Sequence, residues 1–137
     1  MKIMVDTNIF LDVLLDRMPL SDSSSKLLSL CENHKFDGFV SASCITDIFY
    51  IVRKSMHSTE MAYQAIGKIL QIVKTCSVTN HDILNAYLIH AKDFEDCLLA
   101  VCAKSNACEC IITRNKKDFS EFGIPLFTPE EILSTIK

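Results

Sequence analysis

Short apolar runs recur along this chain, and nearly everything between them repeats its apolar residues at helical spacing. KIMV at 2–5, DGFVS at 37–41, CSVT at 76–79 and CECIITRN at 108–115 are four such runs, and a fifth opens the closing stretch IPLFTPEEILSTIK. Bounded by polar residues and too short for helices, they predict buried strands. NIFLDVLLDR takes up helical spacing through Ile9, Val13 and Leu14. PLSDSSSKLLSLCENH predicts a helix capped within its Ser and Asp cluster, with Leu27, Leu28 and Cys31 inward. SASCITDIFYIVRKSM predicts a helix apolar on most sides, and STEMAYQAIGKILQIVKT one opened by a Ser and Glu arrangement resembling a capping box. NHDILNAYLIHA and DFEDCLLAVCAKSNA have acidic first turns that suit the helix dipole, and Thr-Pro-Glu-Glu starts the last helix. Strands alternating with helices give an α/β fold, a parallel sheet of about four to five strands covered on both faces.

The 137 residues, 49% of them hydrophobic, suffice for one domain spanning 1–137 with a substantial core. No apolar run approaches the roughly 20 residues that cross a bilayer, and aspartates stand where a signal peptide would be cleaved, so a cytoplasmic location is expected. Seven cysteines, an odd count set mostly in apolar or helical patterns, read as reduced and buried. Cys108 and Cys110 have the look of half a metal site, but no second pair stands at zinc-like spacing. A net charge of -3 argues against broad attraction to nucleic acid, although a bound cation reverses the local sign.

In open α/β sheets ligands bind beyond the carboxyl ends of the strands. Asp6 sits at such an end, Asn115 just past another, and Asp47 and Asp96 on early helical turns. Each acid has a plain alternative. Asp6 or Asn8 could cap a helix, Asp93 could cap the next with Asp96 as its reciprocal partner, and Asp118 could sit in a turn. Asp47 is harder to dismiss, because the following IFYIV predicts burial of much of its helix, and an unpaired buried carboxylate is costly. Arg53, six residues on, is poorly spaced to pair with it. A shared cation is the economical explanation, and oxygen ligands suit Mg²⁺ or Mn²⁺. A haloacid-dehalogenase-type phosphatase would need an aspartate where Asn8 stands, and a receiver domain an aspartate ending CSVT; neither is present.

In order, MVDTN, SASCITDIFYIVRK, DFEDCLLAVCAK and IITRNKKDF resemble the PIN domain, with the match closest to the bacterial branch related to VapC-type toxin nucleases. The resemblance spans essentially the whole chain. It implies a three-layer α/β/α sandwich and metal-dependent endonucleolytic cleavage of RNA leaving a 5′-phosphate. It also implies that Asp6, Asp47 and Asp96 hold the metal, with Asn115 as a fourth catalytic residue. Thr7, Asn8 and Thr113 match polar residues that support the acids, and Asp118 and Asp93 stand at the periphery. Two positions depart from the pattern: Asp47 stands where most relatives have glutamate, and Asn115 where many have an acid. Arg114, Lys116 and Lys117 lie where they could contact an RNA backbone. The toxin analogy suggests an antitoxin partner and a homodimer, with IFYIV and AYLIHA as candidate self-association surfaces. The alternative is a PIN-like RNA- or protein-binding module whose metal site is weakened, and Asn115 is the feature that favours it.

Overall fold

The computed structural model describes residues 1–136. Five strands, β1 (Lys2–Val5), β2 (Asp37–Ser41), β3 (Lys74–Cys76), β4 (Cys110–Ile112) and β5 (Leu126–Phe127), form one sheet in the order β3-β2-β1-β4-β5, every pair parallel. Eight helices flank it among the described residues: α1 (Thr7–Leu14), α2 (Leu20–Glu32), α3 (Ala42–Met56), α4 (Thr59–Ile72), α5 (Asn80–Ile89), α6 (Phe94–Ser105), α7 (Lys116–Phe119) and α8 (Pro129–Ser134). The alternation legible in the sequence is the alternation of the fold.

The central strands are buried on both faces, with Ile3, Met4, Val5, Ile111 and Ile112 all fully enclosed, as a parallel sheet between helices requires. Gly38 on β2 permits the close approach of α2 and the start of β3. A Cβ there would stand 2.8 Å from Cys31 Sγ and 2.9 Å from Val73 Cγ1, so any other residue must push the packed elements apart. All seven cysteines are free and buried.

Local details differ from expectation. The third strand is Lys74–Cys76 rather than 76–79, because Thr79 caps α5 in a reciprocal capping box with Asp82. Helix α2 starts at Leu20 behind Pro19 with no side-chain cap, and Ser21 and Ser24 turn inward instead, Ser24 donating to Asp12 at 2.9 Å. Ser58 caps α4 through the Met61 N–H, without the reciprocal glutamate bond. The largest difference is in α3, which buries only Cys44, Ile48 and Val52. Tyr50 is 59% exposed, and Asp47 is exposed as well, so burial is not the reason for an acid at 47.

Sheet order fixes where a site can form. The chain runs outward from β1 through β2 to β3, then returns to add β4 on β1's other side. At the carboxyl edge between β1 and β4 the connections diverge in opposite directions and leave a crevice.

Candidate metal centre

Asp6 follows β1 directly into this crevice. Its backbone N–H donates to the Ile112 carbonyl at 3.0 Å, extending the β1–β4 ladder by one residue. Its carboxylate is 8% exposed and doubly held: Oδ1 accepts from the Thr7 N–H at 2.8 Å, and Oδ2 from the Thr113 hydroxyl at 2.9 Å. The same Thr113 oxygen accepts the Asn115 N–H at 3.0 Å, so fully buried Thr113 clamps both the first acid and the turn after β4. Asp6 is also the N-cap of α1, which unites its plain and functional readings.

A pocket of about 430 Å³ opens above it. Asp6, Asn8, Asp47, Asp96, Asn115 and Asp118 line it together with Thr7, so α1, α3, α6 and α7 all deliver side chains to one place. Thr113 lies beneath, acting through Asp6. Asp93 lies outside this pocket and caps α6, its Oδ1 accepting the Asp96 N–H at 3.0 Å, with no reciprocal bond from Asp96. Asn8 accepts from Arg17 Nη1 at 3.5 Å.

Sequence reasoning passed over Glu95, Tyr50 and Ile51, which also line the pocket, as do the buried Leu11 and Phe119. Glu95 had a signal, since the first turn of α6 points its residues at the sheet's carboxyl edge and DFED offers three acids there. Tyr50 lies one turn beyond Asp47 on the same helix, a neighbour by three-residue spacing.

Arg114 has a different occupation from the RNA contact proposed for it. Its guanidinium turns inward to Asp12 (2.7 Å) and Glu130 (2.7 Å), and reaches the Leu20 carbonyl, Ser23 and Ser24. Lys116 is paired with Glu131 at 2.9 Å. Among the described residues, no Lys, Arg or His lines the acid pocket, which holds five carboxylates.

Burial first, and that imbalance second, set the titration. Burial, reinforced by Asp93, Asp6, Asp118 and Glu95, pushes Asp96 up to about 6. Asp6 is raised by burial against the pull of its two hydrogen bonds, and Glu95 by burial and then by Asp47 and Asp93. Among the described residues no three potential ligands converge on one point, as expected of mutually repelling carboxylates. Asp47 and Glu95 are both exposed at the pocket. An all-oxygen, uncompensated set of this kind fits a hard divalent cation.

Comparisons with known proteins bear on the family and the fold. The PIN domain profile matches residues 2–117. Ribonuclease VapC1 of Aquifex aeolicus is 27% identical over 135 residues, covering 95% of this chain and 92% of that protein. Among solved structures, VapBC2 from Rickettsia felis, bound to a DNA fragment from their promoter, superposes with a TM-score of 0.74 at 18% identity, covering 93% of this chain and 98% of that one. VapC20 of Mycobacterium tuberculosis, described as a sarcin-ricin loop cleaving toxin, gives 0.71 at 15% identity, covering 89% and 95%. The fold is shared with both. By the match over most of its length, this chain belongs to the PIN domain family.

Proposed function

We propose that this protein is a divalent-metal-dependent endoribonuclease, the toxin of a toxin–antitoxin pair. The observation that carries the reading is the β1–β4 crevice, where a doubly held, nearly buried Asp6 faces four further carboxylates with no base among them. Asp6, Asp47 and Asp96 would hold the ion, with Glu95 and Asp118 within the same pocket. Mg²⁺ or Mn²⁺ suits their oxygens better than zinc does. When bound, such an ion activates a water and stabilises the charge that develops on a phosphodiester. The chain's own work is positional. Thr113 and the Thr7 N–H fix Asp6, Asp93 sets the first turn of α6 that carries Glu95 and Asp96, and Asn115 offers its exposed amide as an uncharged donor and acceptor. Two extra acids make the neutral residue at 115 no deficit of charge.

Incubation of purified protein with a mixed pool of structured and single-stranded RNA tests the reading. Cutting with Mn²⁺ or Mg²⁺ that EDTA stops is the expected result. No cutting, with no gain in thermal stability from either ion, selects a PIN-fold binding module instead.

Metal binding also carries a pH signature. Because Asp96 holds its proton up to about pH 6 when folded but only to near the ordinary aspartate value of 3.8 when unfolded, the folded state binds more protons at this carboxyl across that window. The contribution of Asp96 to metal-free stability therefore falls as pH rises from about 4 to 6, then levels. A cation competes with that proton, so the melting-temperature gain from Mn²⁺ is small at pH 5 and larger at pH 7.5. Equal gains at both pH values in a thermal scan would count against Asp96 as a ligand.

A protein partner is consistent with α5, which leaves Ile83, Leu84, Tyr87, Leu88 and Ile89 all at least 44% exposed. A contiguous apolar helix face of this size is unusual on a chain that stays alone. We assign it to self-association, with an antitoxin segment covering the acid pocket. Light scattering at twice the 15.4 kDa chain mass is the expected result. No helix among the described residues is long and apolar enough to cross a membrane, and the proposed place of action is the cytoplasm.

A further inference from the structure

The acid pocket is one part of a longer groove. A second depression, of about 470 Å³, shares Asp96 and Asp118 with it and continues between the α5–α6 turn and α7. Lys92 and Lys117 line this continuation, and both are exposed. Among the described residues neither is in an ion pair, although Asp93 and Glu121 line the same depression; Lys116, by contrast, is held by Glu131. Two lysines thus line the groove without an ion-pair partner among the described residues, beside the four carboxylates of Asp93, Asp96, Asp118 and Glu121.

At the pocket's other lip stands Tyr50. Its ring is well exposed yet positioned: Phe49 packs edge-on against it at 5.2 Å, itself braced by Tyr63 at 4.9 Å, and the Arg53 guanidinium lies 5.5 Å from the Tyr50 centroid. A solvent-facing aromatic ring with an arginine over it is the chemistry that stacks an unpaired base. Bases within a duplex have no free face to offer. Tyr50 lines the acid pocket and not the apolar groove between α3 and α4 around Val52, Met56 and Met61, which favours a nucleobase over an apolar peptide as its partner.

We propose that the two ends form one track for single-stranded RNA: an unpaired base stacks on Tyr50 and Arg53 to one side of the scissile phosphate, and Lys92 and Lys117 hold a neighbouring phosphate on the other. The track rests on the ribonuclease reading and assigns the residues that hold the strand on either side of the acids. It also explains how a chain of net charge -3 engages a polyanion, through two local contacts flanking a cation-neutralised centre.

The test is fluorescence anisotropy with a labelled random-sequence RNA 12-mer and a matched duplex, using Asp6→Asn protein with Mn²⁺ so that cleavage does not erode the signal. Asparagine keeps an oxygen ligand at position 6. Expected are preference for the single strand, binding weakened about tenfold by a further Tyr50→Ala change, and recovery in Tyr50→Phe, which keeps the ring. Lys92→Gln with Lys117→Gln should weaken binding and flatten the slope of log K against log salt by about 1, while Lys26→Gln, a charge change on α2, leaves the slope unaltered. Melting temperatures of each variant separate lost contacts from lost fold. Duplex preference, no single-strand binding, or unchanged affinity and slope in folded variants would each overturn the track. Loss of binding to a protein partner, with RNA affinity intact, would overturn it in favour of a protein-docking lip. Cleavage by wild-type protein is read separately, so a ribonuclease without this track and a track without ribonuclease activity give different results.

Discussion

Asp6→Asn protein is expected to lose metal-dependent RNA cleavage by more than about 100-fold while keeping its fold. Even a residue that only supports a metal ligand commonly costs 10- to 100-fold when changed, and Asp6 would be a ligand itself. The substitution is nearly isosteric, and an amide oxygen can still accept from either the Thr7 N–H or the Thr113 hydroxyl. It also removes one charge from a group of five that repel one another, so metal-free stability is maintained or raised. Initial cleavage rates with Mn²⁺, measured beside melting temperatures, separate the two effects. Cutting at the wild-type rate would sink the assignment of Asp6.

Arg114→Ala should produce the largest loss of stability, about 3–5 kcal/mol, the usual cost of leaving a buried charge without its partner. Asp12 is 1% exposed and receives Arg114 Nε at 2.7 Å. After truncation it keeps Ser24 at 2.9 Å and Arg17 only at 3.9 Å. Glu130 on α8 and the Leu20 carbonyl on α2 lose their shared donor at the same time. Since domains of this kind have only roughly 5–15 kcal/mol in total, the variant should unfold at markedly lower denaturant. Lysine is a poor substitute, because one ammonium cannot reproduce a planar fork that addresses α1, α2 and α8 together. An unchanged urea midpoint would mean that the network contributes nothing net.

These two residues show what a single sequence yields and what it withholds. Asp6 was legible because a strand-length apolar run ends on it, and sheet geometry says what lies beyond such an end. The strand alternation was legible for the same reason, since periodicity is a local property. Arg114 sits among bases beside the proposed site, and its partners Asp12 and Glu130 are 102 and 16 positions away, a relation no local pattern encodes. Asp47 was placed for a reason that α3 does not obey: its apolar residues were read as buried, whereas Tyr50 and Ile51 line an open pocket. Glu95 was missed because attention to Asp93 and Asp96 as a capping pair hid the acid between them. β3 was set too late in the chain because Thr79 fits a strand by propensity but serves as a cap.

The bond between Thr113 and Asp6 joins residues 107 apart in the chain. A ribosome making this protein would therefore release the first four acids of the pocket, through Asp96, well before the strand that clamps Asp6. Until β4 docks beside β1, Asp6 lacks its hydroxyl donor, Asn115 and Asp118 have no seat, and the crevice has one wall. On the ribonuclease reading, a nascent or truncated chain is expected to be catalytically silent. The same is expected of any chain whose β4 has peeled away, and the interval before that strand settles is time in which a partner can be made and bound.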